Sequence, residues 1–195
     1  ADFSVLYCNI FVPDCKYLTK KEQMLYIIYI KIAITADIHL KEQNETPDRY
    51  RVIENIFNEC ISKKITTLLI AGDTFDKNFF QYQGFDKICE KFKDIKVIII
   101  PGNHDTGIKQ EFFTSDNIEI INSVSLKTYD EVSFLLIPYI STKTMDEVLI
   151  EFISENKPDN WILVGHGDYI TTNWQANPYE PGTYMPLSSV VINRY

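Results

Sequence analysis

Apolar and polar positions along this chain switch repeatedly between a period of two or less and a period near 3.6. From Tyr26 to Thr35 a β-branched, apolar run reads as a buried strand that delivers Asp37-Ile38-His39 at its end. Thr46 is placed to cap a helix with Pro47 in its first turn, and Val52, Ile53, Ile56, Phe57, Cys60 and Ile61 then recur at the spacing of one helix face. Thr67-Leu68-Leu69-Ile70-Ala71 predicts the next strand, which ends in Gly72-Asp73-Thr74-Phe75-Asp76. A second helix, with Phe85, Ile88, Cys89 and Phe92 as its buried stripe, leads to the strand Val97-Ile98-Ile99-Ile100 and then to Pro101-Gly102-Asn103-His104-Asp105. The repeated order is strand, polar loop, helix, strand.

Beyond His104 the pattern changes. Short apolar runs at Ile118 to Ile121, Val124 to Leu126 and Val132 to Ile137 leave little room for helix, and they predict hairpin-like, partly antiparallel strands. Thr144 with Glu147 forms a capping box opening a third helix, whose apolar side is Met145, Val148, Leu149, Phe152 and Ile153. Trp161-Ile162-Leu163-Val164 is one more buried strand, ending in Gly165-His166-Gly167-Asp168. The stretch from Asn173 to Pro186 reads as an ordered loop of the kind that selects substrate, and Asn193-Arg194-Tyr195 as an end without helix or strand.

Length narrows the organisation. A chain of 195 residues suits one domain with its own core. Residues 1–23 lack clear periodicity and are expected to be an extension, with an edge strand over Ser4 to Val12 as the alternative; residues 24–195 are expected to form the domain. The apolar segment Met24 to Ile34 contains Lys31 and is too short to span a bilayer, so no membrane association is expected. Cys8, Cys15, Cys60 and Cys89 show no CxxC spacing and read as free thiols in a reducing compartment, which predicts a cytoplasmic protein. The net charge of -8 argues against a nonspecific nucleic-acid coat, but carboxylates gathered to hold cations would also make a chain acidic.

Four apolar strands thus end in polar tips, and all three histidines lie on those tips. In α/β folds the carboxyl ends of strands gather on one side of the sheet, where ligands bind. Alternation along an extended segment would put Asp37 and His39 on one side, able to reach one ion. Asp73, at a neighbouring strand end, is the natural bridging carboxylate, while Asn103 and His166 offer an oxygen and a nitrogen to a second ion. Mixed N and O ligation of this kind suits manganese, iron, zinc or nickel better than calcium. Neither GxGxxG nor GxxxxGK[ST] occurs, which sets aside a nucleotide-binding doubly wound domain.

Ala36-Asp37-Ile38-His39, Gly72-Asp73-Thr74-Phe75-Asp76, Gly102-Asn103-His104-Asp105 and Gly165-His166, in this order, resemble the motifs of the calcineurin-like metallophosphoesterases, and the Gly-Asp-x-Phe-Asp form is similar to the DNA-repair exonuclease branch. The resemblance implies an α/β fold, a four-layer αββα sandwich with two mixed sheets, and a site holding two divalent metal ions, manganese first. It makes Asp37 and His39 ligands of one ion, Asp73 the bridge, and Asn103 and His166 ligands of the other. His104 would be the acid for the leaving oxygen and Asp105 its orienter, with Asp76 supporting the Asp73 loop. The implied activity is that of a metal-dependent phosphoesterase, a phosphodiesterase or nuclease using in-line attack of a metal-bridging hydroxide on a phosphate ester, nucleic acid or nucleotide. The family's closing Gly-His-x-His does not occur after His166, so truncation at the C-terminal end is expected. A non-catalytic binding or scaffold module is the alternative.

Overall fold

The computed structural model describes residues 6–10, 30–76, 82–129, 132–156, 161–173, 175 and 184–194. Ten strands and four helices follow in the order β1 (Leu6–Ile10), β2 (Ile30–Thr35), α1 (Pro47–Lys63), β3 (Thr67–Ala71), α2 (Gln83–Lys91), β4 (Lys96–Ile100), β5 (Ile118–Ile120), β6 (Ser125–Tyr129), β7 (Val132–Ile137), α3 (Met145–Glu155), β8 (Trp161–Gly165), β9 (Tyr169–Ile170), β10 (Leu187–Ser188) and α4 (Ser189–Ile192). The fold class is mixed α/β, as expected.

A five-stranded sheet has the order β1-β2-β3-β4-β5, and a three-stranded sheet the order β6-β7-β8. The first is parallel from β2 to β5, with β1 added antiparallel at its edge; in the second, β6 is antiparallel and β8 parallel to β7. These two sheets are therefore mixed, and β9 and β10 pair in parallel as a third, two-stranded sheet. Strand pairing over Leu6–Ile10 is the edge-strand alternative weighed for that stretch. The part of the second predicted strand before Ile30 lies outside the described residues.

Successive strand residues point to opposite faces, and the core divides accordingly. Ala33, Leu68, Ile70, Val97 and Ile99 bury one face of the larger sheet against Ile53, Phe57, Phe85 and Cys89 of α1 and α2. Ile32, Leu69, Ile98 and Ile100 on the other face share a cluster with Phe134, Leu136 and Val164 of the smaller sheet. Leu135 and Ile137 then face Met145, Val148 and Leu149 of α3, with Leu187, Val191 and Ile192 packed against them. Cys60 and Cys89 are free and buried, and burial pushes the Cys60 thiol up to about 11, so neither is a nucleophile at neutral pH.

Local expectations are corrected in four places. Ile61, assigned to the buried face of α1, is 57% exposed, while Tyr50 takes a place in the core. Thr46 gives α1 no side-chain cap, because its hydroxyl accepts from Lys41 N and faces Glu42 O in the preceding turn. β5 does not join a hairpin: it pairs parallel to β4. The last described stretch, expected to be irregular, holds β10 and the one-turn α4, with Ser188 Oγ accepting from Val191 N. By contrast the capping box of α3 is complete in both directions. Among the described residues no helix is long and apolar enough to cross a membrane.

Candidate metal centre

The C-terminal ends of β2, β3 and β4 lie side by side because those strands are parallel neighbours, and the loops that leave them are zipped together. Asp37 N donates to Gly72 O at 3.1 Å, His39 N to Asp73 O at 2.9 Å and Leu40 N to Thr74 O at 2.9 Å. Asp76 N donates back to Leu40 O at 2.9 Å. This ladder, rather than alternation along an extended segment, brings Asp37 and His39 together: β2 ends at Thr35, and the two residues have φ of 56° and 50°. Asp73 has φ of 50°. Left-handed backbone at three non-glycine residues is strain of the sort that surrounding structure must enforce, and it gathers at functional sites.

Two glycines make the approach possible. Gly72 has φ of 91°, and a Cβ there would come within 2.2 Å of His166 Nδ1. A Cβ on Gly102 would meet Asp73 Oδ1 at 2.1 Å and Asp73 N at 2.5 Å. Both positions therefore require glycine for clearance.

Asp73 occupies the middle of the site and is 3% exposed. Its Oδ1 accepts from His104 N at 2.9 Å. Its Oδ2 lies 3.7 Å from His39 Nε2 and 3.5 Å from His166 Nε2, so one carboxylate oxygen faces two imidazoles. Burial pulls the Asp73 carboxyl up, but hydrogen bonds from His166 and His104 and their charges outweigh it, and the group is held below its ordinary value. His166 Nδ1 is 3.0 Å from Ala71 O, a pure acceptor, so Nδ1 carries a proton and Nε2 is the nitrogen turned to Asp73. Nε2 is also 3.0 Å from Asn103 Oδ1. Burial works against charge on this ring, and the Asp73 carboxylate overcomes it, raising His166 to about 8.

The donor set suits cations. Ligand atoms of Asp37, His39 and Asp73 all lie within 4.8 Å of one another, and Asp73 reaches from this group to His166, whose Nε2 meets Asn103 Oδ1. A buried carboxylate confronted by imidazole nitrogens and an amide oxygen is a mixed N and O environment for a borderline divalent ion. All five expected ligand residues meet at one open cleft of about 520 Å³, which Gly165, Asp168 and Tyr184 also line.

His104 lines the same cleft, and its ring packs edge-on to His39 with centroids 4.6 Å apart. Its Nδ1 is 3.2 Å from Asp76 Oδ1, and Asp76 Oδ2 is 3.2 Å from Lys41 Nζ. Asp105, expected to orient that ring, meets backbone donors instead. Asp105 Oδ1 accepts from Gly102 N at 2.7 Å and Oδ2 from Phe75 N at 3.1 Å, which fastens the third loop to the second. Burial, added to by the charge of Asp73, pushes the Asp105 carboxyl above its ordinary value against these backbone donors. Its carboxylate therefore braces the loops, and the carboxylate on the His104 ring is that of Asp76.

Sequence reasoning missed Lys41, Arg49, whose guanidinium donates to His39 O, and Tyr184. No periodic or motif signal marks Lys41 or Arg49. Tyr184 lay within the stretch expected to choose substrate, and Asp168 reaches it: Tyr184 N donates to Asp168 Oδ2 at 2.8 Å.

Carboxylates, imidazoles and an amide converging at the C-terminal ends of parallel strands define a candidate metal-binding centre on an α/β scaffold. A family model for calcineurin-like phosphoesterases matches residues 30–176, and the chain belongs to that family. DNA polymerase II small subunits from two strains of Halobacterium salinarum are each 24% identical over 154 residues, covering 65% of this chain and 30% of the relative. The chain thus spans less than a third of the length of these curated relatives. Among solved structures, a Pseudomonas putida nuclease is similar with 16% identity and a TM-score of 0.40, over 58% of this chain and 56% of that one. A protein of unknown function from Aquifex aeolicus is similar with 19% identity and a TM-score of 0.40, over 68% of this chain and 76% of that one.

Proposed function

We propose that the chain is the catalytic portion of a metal-dependent phosphodiesterase or nuclease. The observation that carries this reading is Asp73 Oδ2, set between the Nε2 atoms of His39 and His166. Asp37, His39 and Asp73 would hold one divalent cation, and Asp73, Asn103 and His166 a second, with manganese the first choice and iron, zinc or nickel compatible with the same donors. When bound, such ions neutralise phosphate charge and make water a nucleophile near neutral pH.

The chain's own side chains do the rest. Asp37 and Asp73 fix the site with left-handed backbone that the loop ladder enforces. Asp76 accepts from His104 Nδ1, which sets the ring and leaves Nε2 to hold a proton for the departing oxygen. Asp105 keeps Asn103 and His104 in place by fastening Gly102 to Phe75.

His104→Ala in the full chain is expected to lower kcat on a generic aryl phosphodiester with manganese by about 100- to 10,000-fold while bound metal is retained. Unchanged activity removes the acid assignment. A second reading draws on the small-subunit names of the relatives: a phosphoesterase-fold module that serves in an assembly without catalysis. Elemental analysis separates the two, since a full-length protein with no stoichiometric metal and no hydrolysis supports the module.

A further inference from the structure

A second cavity, of about 560 Å³, opens beside the cleft and shares Asn103, His104 and Tyr184 with it. Its remaining walls are Thr106, Tyr139, Ile140 and Ser141. Asp37, His39, Asp73 and His166 line the first cavity and not the second. On the phosphodiesterase reading, a phosphate bound through cations on those carboxylate and imidazole groups would lie in the first, and the group on the oxygen that His104 would protonate would extend into the second. We propose that this second cavity is a subsite for the departing nucleoside of a phosphodiester, with Tyr139 and Tyr184 as the surfaces its base stacks upon. The proposal rests on the phosphodiesterase reading of the adjoining cleft.

The chemistry of the walls selects the occupant. Among the described residues no lysine, arginine or carboxylate lines the cavity, and those that do line it carry neither a cation for a second phosphate nor a charge to oppose an uncharged base. Two phenol rings and the hydroxyls of Thr106 and Ser141 suit a flat aromatic body with polar edges. Stacking accepts any base, because each has a π face.

Both aromatic walls are positioned by the loops of the site itself. Tyr139 N donates to Pro101 O at 2.9 Å, at the start of the loop that carries Asn103 and His104. Tyr184 is held from both sides of its peptide by Asp168: its N donates to Asp168 Oδ2 at 2.8 Å and its O accepts from Asp168 N at 2.8 Å. Ile140 N, next to Tyr139, contacts Met185 Sδ at 3.3 Å, which links the two walls. Backbone fixed in this way limits where the two rings can go when a base arrives, which lowers the cost of ordering them.

The test compares a dinucleotide with the same diester bearing an abasic departing nucleoside, using the full chain loaded with manganese. Wild type is expected to prefer the dinucleotide by about tenfold in kcat/KM, the scale of one base-aromatic stack. Tyr184→Leu and Tyr139→Leu should each bring that ratio towards one, and Tyr184→Phe, which keeps the ring, should preserve it. Because the readout is a ratio within each protein, partial loss of folded material does not imitate the effect. Wild type cleaving both substrates equally, or both leucine variants keeping the full preference, overturns the subsite and leaves the phosphodiesterase reading in place. Wild type cleaving neither substrate overturns that reading and the subsite with it.

Discussion

Asp76 and Asp105 show how much one residue's neighbours decide. Both follow a strand end by a few positions, and the chain order alone places Asp105 beside His104. In three dimensions Asp105 turns back to two backbone donors, and Asp76, from another strand tip, meets the imidazole. Asp105→Ala should cost about 3 kcal/mol of stability, since it strands the buried N–H groups of Gly102 and Phe75, and urea denaturation would register it. Asp76→Ala should leave the denaturation midpoint near wild type and lower kcat about 10- to 100-fold, as loss of a ring-orienting partner does. If the two variants show the opposite pattern, the division of roles is wrong. Gly102→Ala is expected to destabilise by about 3 kcal/mol and to abolish metal binding, because the new methyl group would sit on Asp73. Residue types and their order were legible in the sequence; the partner of each carboxylate was not, because it depends on which loop lies alongside.

At the scale of elements, the two threonines read as N-caps make the same point. Thr144 has Glu147 three positions on, and the reciprocal box forms; Thr46 has Arg49 there, and its hydroxyl is taken up by the turn before the helix. Thr144→Ala should therefore lower stability by about 1 kcal/mol, measured by thermal melting, while Thr46→Ala should affect α1 less. The strands β3 and β7 were readable to the residue, since each is a short, mostly apolar, β-branched or leucine-rich run. Pairing direction was not readable: β5 is a short run that lies parallel to β4 because the preceding loop carries it back across the sheet. Asp86 on α2 helps to hold that loop, accepting from Thr114 N at 3.1 Å and Ser115 N at 3.0 Å. Burial raises its carboxyl, but these donors and the Thr114 hydroxyl outweigh it, so Asp86 titrates below its ordinary 3.8. The unfolded chain takes up this proton first as pH falls. Its contribution is therefore complete above the ordinary value and is lost on descent through the folded one. Between pH 5 and 3 the urea midpoint of Asp86→Asn should fall less steeply than that of wild type.

For the whole molecule, the family, the α/β class and the four polar tips could all be read from the chain, because strand ends in a parallel sheet must share one side. Which side chains build the rim could not, since Tyr139 and Tyr184 come from distant segments that meet only through tertiary contacts such as Ile140 N to Met185 Sδ. The proposed ligand residues come from the ends of β2, β3, β4 and β8, which belong to two sheets. A partly folded chain that has only one sheet therefore presents an incomplete donor set, and a cation gains its full hold only after the last long-range contacts close. Added manganese should accordingly slow unfolding while leaving the refolding rate unchanged, a signature of interactions absent from the transition state. Stopped-flow folding and unfolding limbs, with and without the ion, would show it, and a faster refolding limb would contradict it. In cellular terms such a protein would fold first and be metallated afterwards, and its ions would act as a lock on the finished structure rather than as a guide to it.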